Sequence, residues 1–222
     1  MKVEIPLSNR SIEGFLLENA QNSPGVIFLH DLFGIQEYCM QTAEAIYAEG
    51  FTVLVPDLYS ALGGMKYCIQ NFFNQYFLSN DAKNNPALEE IHQIIDYFRE
   101  LPSVASQRLG MVGQCLTGGF ILHASIREEV KAPIVFHHSF GLQGSGMPAS
   151  CAQQVKNKIQ GHFVHLDLLC PPSRINKLQQ QLGERLESNY YALPHGVPHF
   201  FFKNPEGKKA FQRMLQFIKD SI

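Results

Sequence analysis

The stretch Leu109–Phe120, LGMVGQCLTGGF, decides how the rest of the chain is read. A short apolar run, RLGMVG, ends in a cysteine set between Gly113 and Gly118, and the next residues, FILHASI, have the composition of a buried helix. That is the pattern of a tight strand-to-helix turn that holds one reactive side chain clear of the backbone. The turn would present the Cys115 sulfur at the top of a sheet, and the N-terminus of the following helix favours its thiolate.

Working outward, strand-length apolar runs alternate with segments of helical period. KVEIPL and EGFLLENA predict two early strands with SNRS turning between them. GVIFL and FTVLVP lack alternation, as strands covered on both faces do, and QEYCMQTAEAIYAEG between them predicts a helix closed by Gly50. NPALEEIHQIIDYFRELP predicts a second helix, with Asn85 as N-cap and Pro86 at its first position. Strands are expected at APIVFHH, GHFVHLD and NYYALP, with helices from about Ser173 to Leu186 and from Asn204–Pro205 to the C-terminus. The expected fold is α/β, a mostly parallel central sheet with helices on both faces, in one domain spanning residues 1–222. The segment Ser60–Asn84, rich in Phe, Tyr and Asn, fits the alternation least and is expected to form a lid.

Composition narrows the function. The chain has 222 residues, 45% hydrophobic and 17% charged, with a formal net charge of −2. No basic stripe is available to neutralise a nucleic-acid backbone, and no segment approaches the roughly 20 apolar residues that span a bilayer. A cytoplasmic protein acting on a small molecule is expected, with neither nucleic acid nor membrane as partner; oligomeric state is not legible. Cys39, Cys68, Cys115, Cys151 and Cys170 are too scattered for a disulfide scaffold, and all but Cys115 read as small core residues. The pair His137–His138 and the spacing of His162 and His165 lack the shared face or third ligand of a metal site, so no metal is expected. Ser139 and Ser145 do not complete G-x-S-x-G, and Asp57 reads as a loop residue.

Sites in open α/β sheets gather at the carboxyl ends of strands, which here offer His30–Asp31, Asp57, Cys115, His137–His138 and Asp167, with His199 beyond the last strand. The order nucleophile, acid, histidine gives Cys115, Asp167 and His199, with His195 as a rival four residues earlier and Asp31 left open by pattern alone as another partner of His199. The amides of Leu116, directly after the nucleophile, and Leu32 are the expected oxyanion hole.

VIFLHDLFGI, AEAIYAEGFTVLVPDLYS, GMVGQCLTGG, HFVHLDLLCPPSR and YALPHGVPHFF follow one another in an order and at spacings that resemble the dienelactone hydrolase family of α/β-hydrolases. The resemblance covers nearly the whole chain. It implies a hydrolase of small esters or lactones that needs no cofactor, with Cys115 as nucleophile, Asp167 as acid and His199 as base. It also implies that Asp31, where the family usually has glutamate, interacts with the resting thiol. Thr117 stands where the family has its first glycine after the nucleophile. Lys203, four residues after His199, stands where members that take dienelactone have a substrate-binding arginine; lysine brings charge without a bidentate fork. Other acyl transfers, such as thioester or peptide cleavage, stay open at this point. So do a catalytically silent member that binds a ligand or senses oxidants through Cys115, and a purely structural role.

Overall fold

The computed structural model describes residues 1–60, 86–138 and 145–222. The expected Ser60–Asn84 lid and the Asn85 N-cap therefore lie, Ser60 apart, outside the described residues, as do Cys68 and Ser139.

Eight strands form one sheet: β1 (Lys2–Pro6), β2 (Ser11–Leu17), β3 (Ser23–Phe28), β4 (Thr52–Pro56), β5 (Val104–Cys115), β6 (Val130–His138), β7 (Ile159–Val164) and β8 (Leu186–Tyr191). Their spatial order is β1-β2-β4-β3-β5-β6-β7-β8. The hairpin β1–β2 and the pair β2–β4 are antiparallel, and every pairing from β4 onward is parallel. The expected mostly parallel sheet is present.

Six helices cover it: α1 (Glu37–Tyr47), α2 (Pro86–Arg99), α3 (Leu116–Ala124), the single turn α4 (Ala149–Ala152), α5 (Pro172–Leu182) and α6 (Pro205–Ser221) among the described residues. Strand side chains alternate between two cores, because successive residues of a strand point to opposite faces. Val26 and Phe28 of β3, Val53 and Val55 of β4, and Ala132, Ile134 and Phe136 of β6 pack with α1 and α6. Ile27, Leu54, Leu109, Met111 and Val135 point the other way, to α2, α3 and α5. The apolar runs read as unbroken because both faces are covered.

Two boundaries differ from expectation, each for a local reason. The helix expected to reach Leu186 stops at Leu182, where Gly183 takes φ 58° and a short 3-10 turn, Gly183–Arg185, leads into β8. The early strand expected through Ala20 ends at Leu17, because the Asn19 side chain accepts from the Ala20 N–H and turns the chain. The last helix starts as its sequence indicates: Asn204 Oδ1 accepts from Gly207 N at 2.8 Å, and Pro205 follows the cap.

This topology places β5 in the interior of the sheet, between β3 and β6. Asp31 lies just past β3 on one side of β5, and Asp167 just past β7 on the other.

Candidate active site

Cys115 is the last residue of β5 and the N-cap of α3, with φ 54° and ψ −120°. A non-glycine residue in this region is strained and persists only where its surroundings over-determine it. Three features do so. A Cβ on Gly113 would lie 2.5 Å from the Thr117 carbonyl oxygen, and one on Gly118 would lie 2.5 Å from that of His137, so only glycine lets the turn close. The Thr117 hydroxyl, fully buried, accepts from Gln114 N at 3.0 Å and faces the carbonyls of His30 and Gln114, each at 3.0 Å. The residue that departs from the family's glycine thus ties the elbow to the end of β3. Thr117→Val, which keeps the shape and removes the hydroxyl, leaves these buried groups unpaired. It is expected to cost about 2 kcal/mol, read as a lower urea midpoint at unchanged slope.

Asp167 lies in the loop after β7 with its carboxylate buried. Oδ1 accepts from the N–H groups of Leu169 (2.8 Å) and Cys170 (3.0 Å), and Oδ2 accepts from His195 Nδ1 at 2.8 Å. It is at once a turn residue and the partner of an imidazole. Burial works against its charge, but the hydrogen bond and charge of His195 and the Cys170 amide outweigh that and lower its pKa to about 2.

The pairing corrects the sequence expectation: the histidine on Asp167 is His195, and His199 is elsewhere. With Nδ1 committed to Asp167, the buried Nε2 of His195 is the nitrogen on the Cys115 side. Burial pulls the His195 pKa down, yet hydrogen bonding to Asp167 and to Cys115, with the charges of both, raises it to about 9. His199 instead places Nε2 2.6 Å from Asp31 Oδ2. Chain direction explains the split. Gly196, at φ 93°, reverses the backbone after His195, and the 3-10 turn Val197–Phe200 carries His199 back toward β3. His195 is four residues beyond the end of β8, and Asp167 three beyond the end of its neighbour β7. That proximity was the available signal for His195.

His137, one of the strand-end candidates, packs beside this pair. It stands at the end of β6 with φ 37°, and its ring stacks on His195 at 4.0 Å. Its Nε2 accepts from Gly196 N at 3.0 Å, so in the neutral ring, which burial favours by lowering the pKa, the proton is on Nδ1, 4.0 Å from Asp167 Oδ2. His137, Asp167 and His195 are the one group among the described residues close enough together to share an ion. His195 Nδ1 donates to Oδ2, whereas His137 Nδ1 lies beyond hydrogen-bond reach of it. Two further buried histidines are paired internally. His30 bridges the Asp31 carbonyl and the Leu58 amide, and His162 joins Tyr191 to Gln160. Burial lowers the pKa of both, that of His162 to about 3.

Asp31 opens the turn that carries Leu32. Its Oδ1 accepts from Phe33 N at 2.9 Å and its carbonyl from Gly34 N at 3.2 Å, while Oδ2 meets His199. Tyr38 of α1 lies against the His199 ring at 4.0 Å, and its hydroxyl accepts from Gln114, the residue before Cys115. Burial, with the charges of Cys39 and Asp31 adding, holds that phenol protonated well above its ordinary range. Leu116 is the first residue of α3, so its N–H is one of the first-turn donors that no helical carbonyl can reach. Lys203 is exposed after the 3-10 turn and forms no ion pair among the described residues. Asp57 accepts from Tyr59 N, and Ser145 bonds Met147 and Gln181; both are loop fasteners.

Similar proteins share this frame. A dienelactone hydrolase-like promiscuous phosphotriesterase from metagenomic libraries superposes with a TM-score of 0.82 at 14% identity, covering 100% of this chain and 97% of that one. The dienelactone hydrolase of Anabaena variabilis gives 0.73 at 15% identity, covering 100% and 97%. In sequence, the chain is 24% identical over 216 residues, 90% of its length and 85% of the other's, to a Synechocystis sp. protein described as "Putative carboxymethylenebutenolidase". No helix among the described residues is long and apolar enough to cross a membrane. The model of the dienelactone hydrolase family matches residues 12–221, nearly the entire chain, and the protein belongs to that family.

Proposed function

We propose that the protein hydrolyses a small ester or lactone through a thioester on Cys115, with His195 as the proton-transfer group and Asp167 as its anchor. The observation that carries this reading is the strained Cys115 backbone at the end of β5, beside an imidazole whose other nitrogen is fixed on a buried carboxylate. A strained nucleophile costs stability and is retained where exposure of the sulfur is useful.

The steps follow from the groups present. The thiol proton moves to His195, and Asp167 supports the imidazolium that forms. The thiolate adds to the substrate carbonyl, whose developing charge is met by the amides of Leu116 and Leu32. Collapse expels the alcohol, protonated by His195, and leaves the acyl group on sulfur. Water then releases the acid. The chemistry uses side chains and amides alone. Lys203 is an exposed cation that would meet a substrate carboxylate as a point charge, which favours neutral or singly anionic substrates over those needing a bidentate clamp.

Acid-quenching a reaction with p-nitrophenyl acetate within the first turnover, followed by peptide mass analysis, tests the proposal. An acetyl group on the peptide bearing Cys115 is the expected result. Sustained turnover with Cys115 unmodified at every time point would overturn it.

A further inference from the structure

The protein holds a second imidazole–carboxylate pair, built like the first. His195 and Asp167 meet at 2.8 Å, His199 and Asp31 at 2.6 Å. The imidazole side chains are 25% and 29% exposed, and the carboxylates 1% and 7%. Each imidazole lies against another ring at 4.0 Å, His137 in one case and Tyr38 in the other. The sheet order separates them: Asp31 follows β3, directly beside β5, and Asp167 follows β7, beyond β6 on the opposite side. The two pairs therefore flank the Cys115 elbow.

Fastening the loop does not account for the second pair. The Asp31 turn is already closed by the Phe33 and Gly34 amides and by the Tyr59 hydroxyl on the Asp31 carbonyl (3.1 Å). The His199 segment is already held by its own amide on the Gly196 carbonyl (2.9 Å) and by the Phe201 side chain in the core. A buried carboxylate aimed at a part-exposed imidazole is an arrangement that fixes a tautomer: Nε2 carries the proton toward Asp31, and the Nδ1 lone pair is left for a proton from elsewhere. Asp31 also directly precedes Leu32, whose amide is assigned above to the oxyanion.

We propose that His199, oriented by Asp31, is the general base for hydrolysis of the thioester, so that acylation and deacylation use different histidines. This rests on the Cys115 thioester proposed above. Once His195 has given its proton to the departing alcohol, water at the acyl carbonyl gives a proton to His199 Nδ1, and its oxygen bonds to the carbonyl carbon. The carbonyl π electrons move onto the oxygen held by Leu32 and Leu116. Collapse breaks the C–S bond and returns its electron pair to Cys115. The carboxylic acid product passes its proton to neutral His195 and leaves as the carboxylate, and His199 releases its proton to solvent. The sum is ester plus water to alcohol, carboxylate and one proton.

The test is stopped-flow and acid-quench kinetics of the full chain with p-nitrophenyl acetate. His199→Gln is expected to release its first equivalent of nitrophenolate within about twofold of the unsubstituted rate. Its steady-state turnover should fall by about 100-fold, the scale of a lost general base. Acetyl-Cys115 should accumulate accordingly. Asp31→Asn, which keeps the side-chain size and the oxygen that accepts from Phe33, should give the same split in weaker form. A first equivalent slowed in proportion to turnover, or turnover unchanged in both variants, overturns the inference. The controls separate the two readings: turnover surviving in Cys115→Ala removes both, whereas a silent Cys115→Ala beside a fully active His199→Gln removes only this one.

Discussion

Cys115→Ala is expected to abolish ester hydrolysis, and His195→Gln to slow acylation of Cys115 by at least about 10⁴-fold, since the members of the proposed triad act as a unit. Glutamine can still donate to Asp167 but cannot accept the thiol proton. The pH dependence has a definite sign. The His195 pKa is raised from 6.5 to about 9 partly by Cys115 itself, so the proton taken from the thiol stays on His195 through neutral pH for the leaving alcohol and is lost as pH rises through about 9. The acylation rate should fall on that alkaline limb, and His195→Gln should lack it. The same shift links to folding: its stabilisation is complete below about pH 6.5 and disappears as pH passes about 9. Asp167 behaves in the opposite sense, stabilising above 3.8 and losing its contribution as pH falls through about 2. Melting curves at pH 7 and pH 10 should therefore converge for His195→Gln relative to the unsubstituted chain. An acylation rate unaffected by His195→Gln would sink the assignment of that imidazole.

Phe201→Ala is expected to produce the largest loss of stability. The ring is fully buried behind the His199 segment, with ring contacts to Phe136 at 5.2 Å, Phe211 at 5.4 Å and Phe202 at 6.3 Å. Truncating such a side chain costs about 3–5 kcal/mol, because lost transfer energy and a residual cavity add. In a chain of this size that lowers the melting temperature by roughly 6–20 °C. Helix α6 closes the same wall: a Cβ on Gly207 would sit 1.8 Å from the Phe200 carbonyl oxygen, so the backbone there has no slack with which to refill the space. Calorimetry measures the stability change. The two histidine segments should loosen with it, so the first-turnover rate should fall well below the melting temperature.

The fold could be read from the sequence because its signals are local. GVIFL and FTVLVP are continuous β-rich runs, and a strand covered on both faces has no other way to appear. The elbow was legible for a related reason, since Cys115 between Gly113 and Gly118 is a statement about backbone space. The histidine pairing was not. The family resemblance singled out His199, but where an imidazole goes depends on φ at Gly196 and on the sense of a four-residue 3-10 turn, neither of which leaves a periodic trace. His137 was discounted as a metal ligand, and its contact with the Gly196 amide is 59 residues distant in sequence. The resemblance sets Asp31 against the thiol and pattern alone leaves it open as a partner of His199; its oxygens accept from Phe33 and from His199, the latter 168 residues away.

The spacing of His195 and His199 makes the turn between them an indivisible length. One inserted residue would rotate one imidazole off its carboxylate while leaving the other seated, and no compensating slip is open, because the Gly196 amide is held by His137 and the Phe201 ring by the core. Homologous chains that keep both pairs must then keep this interval to the residue, even where the loops on either side differ in size. The interval from 195 to 199, more than the identity of any single residue in it, is what a lineage using both histidines would inherit intact or lose altogether.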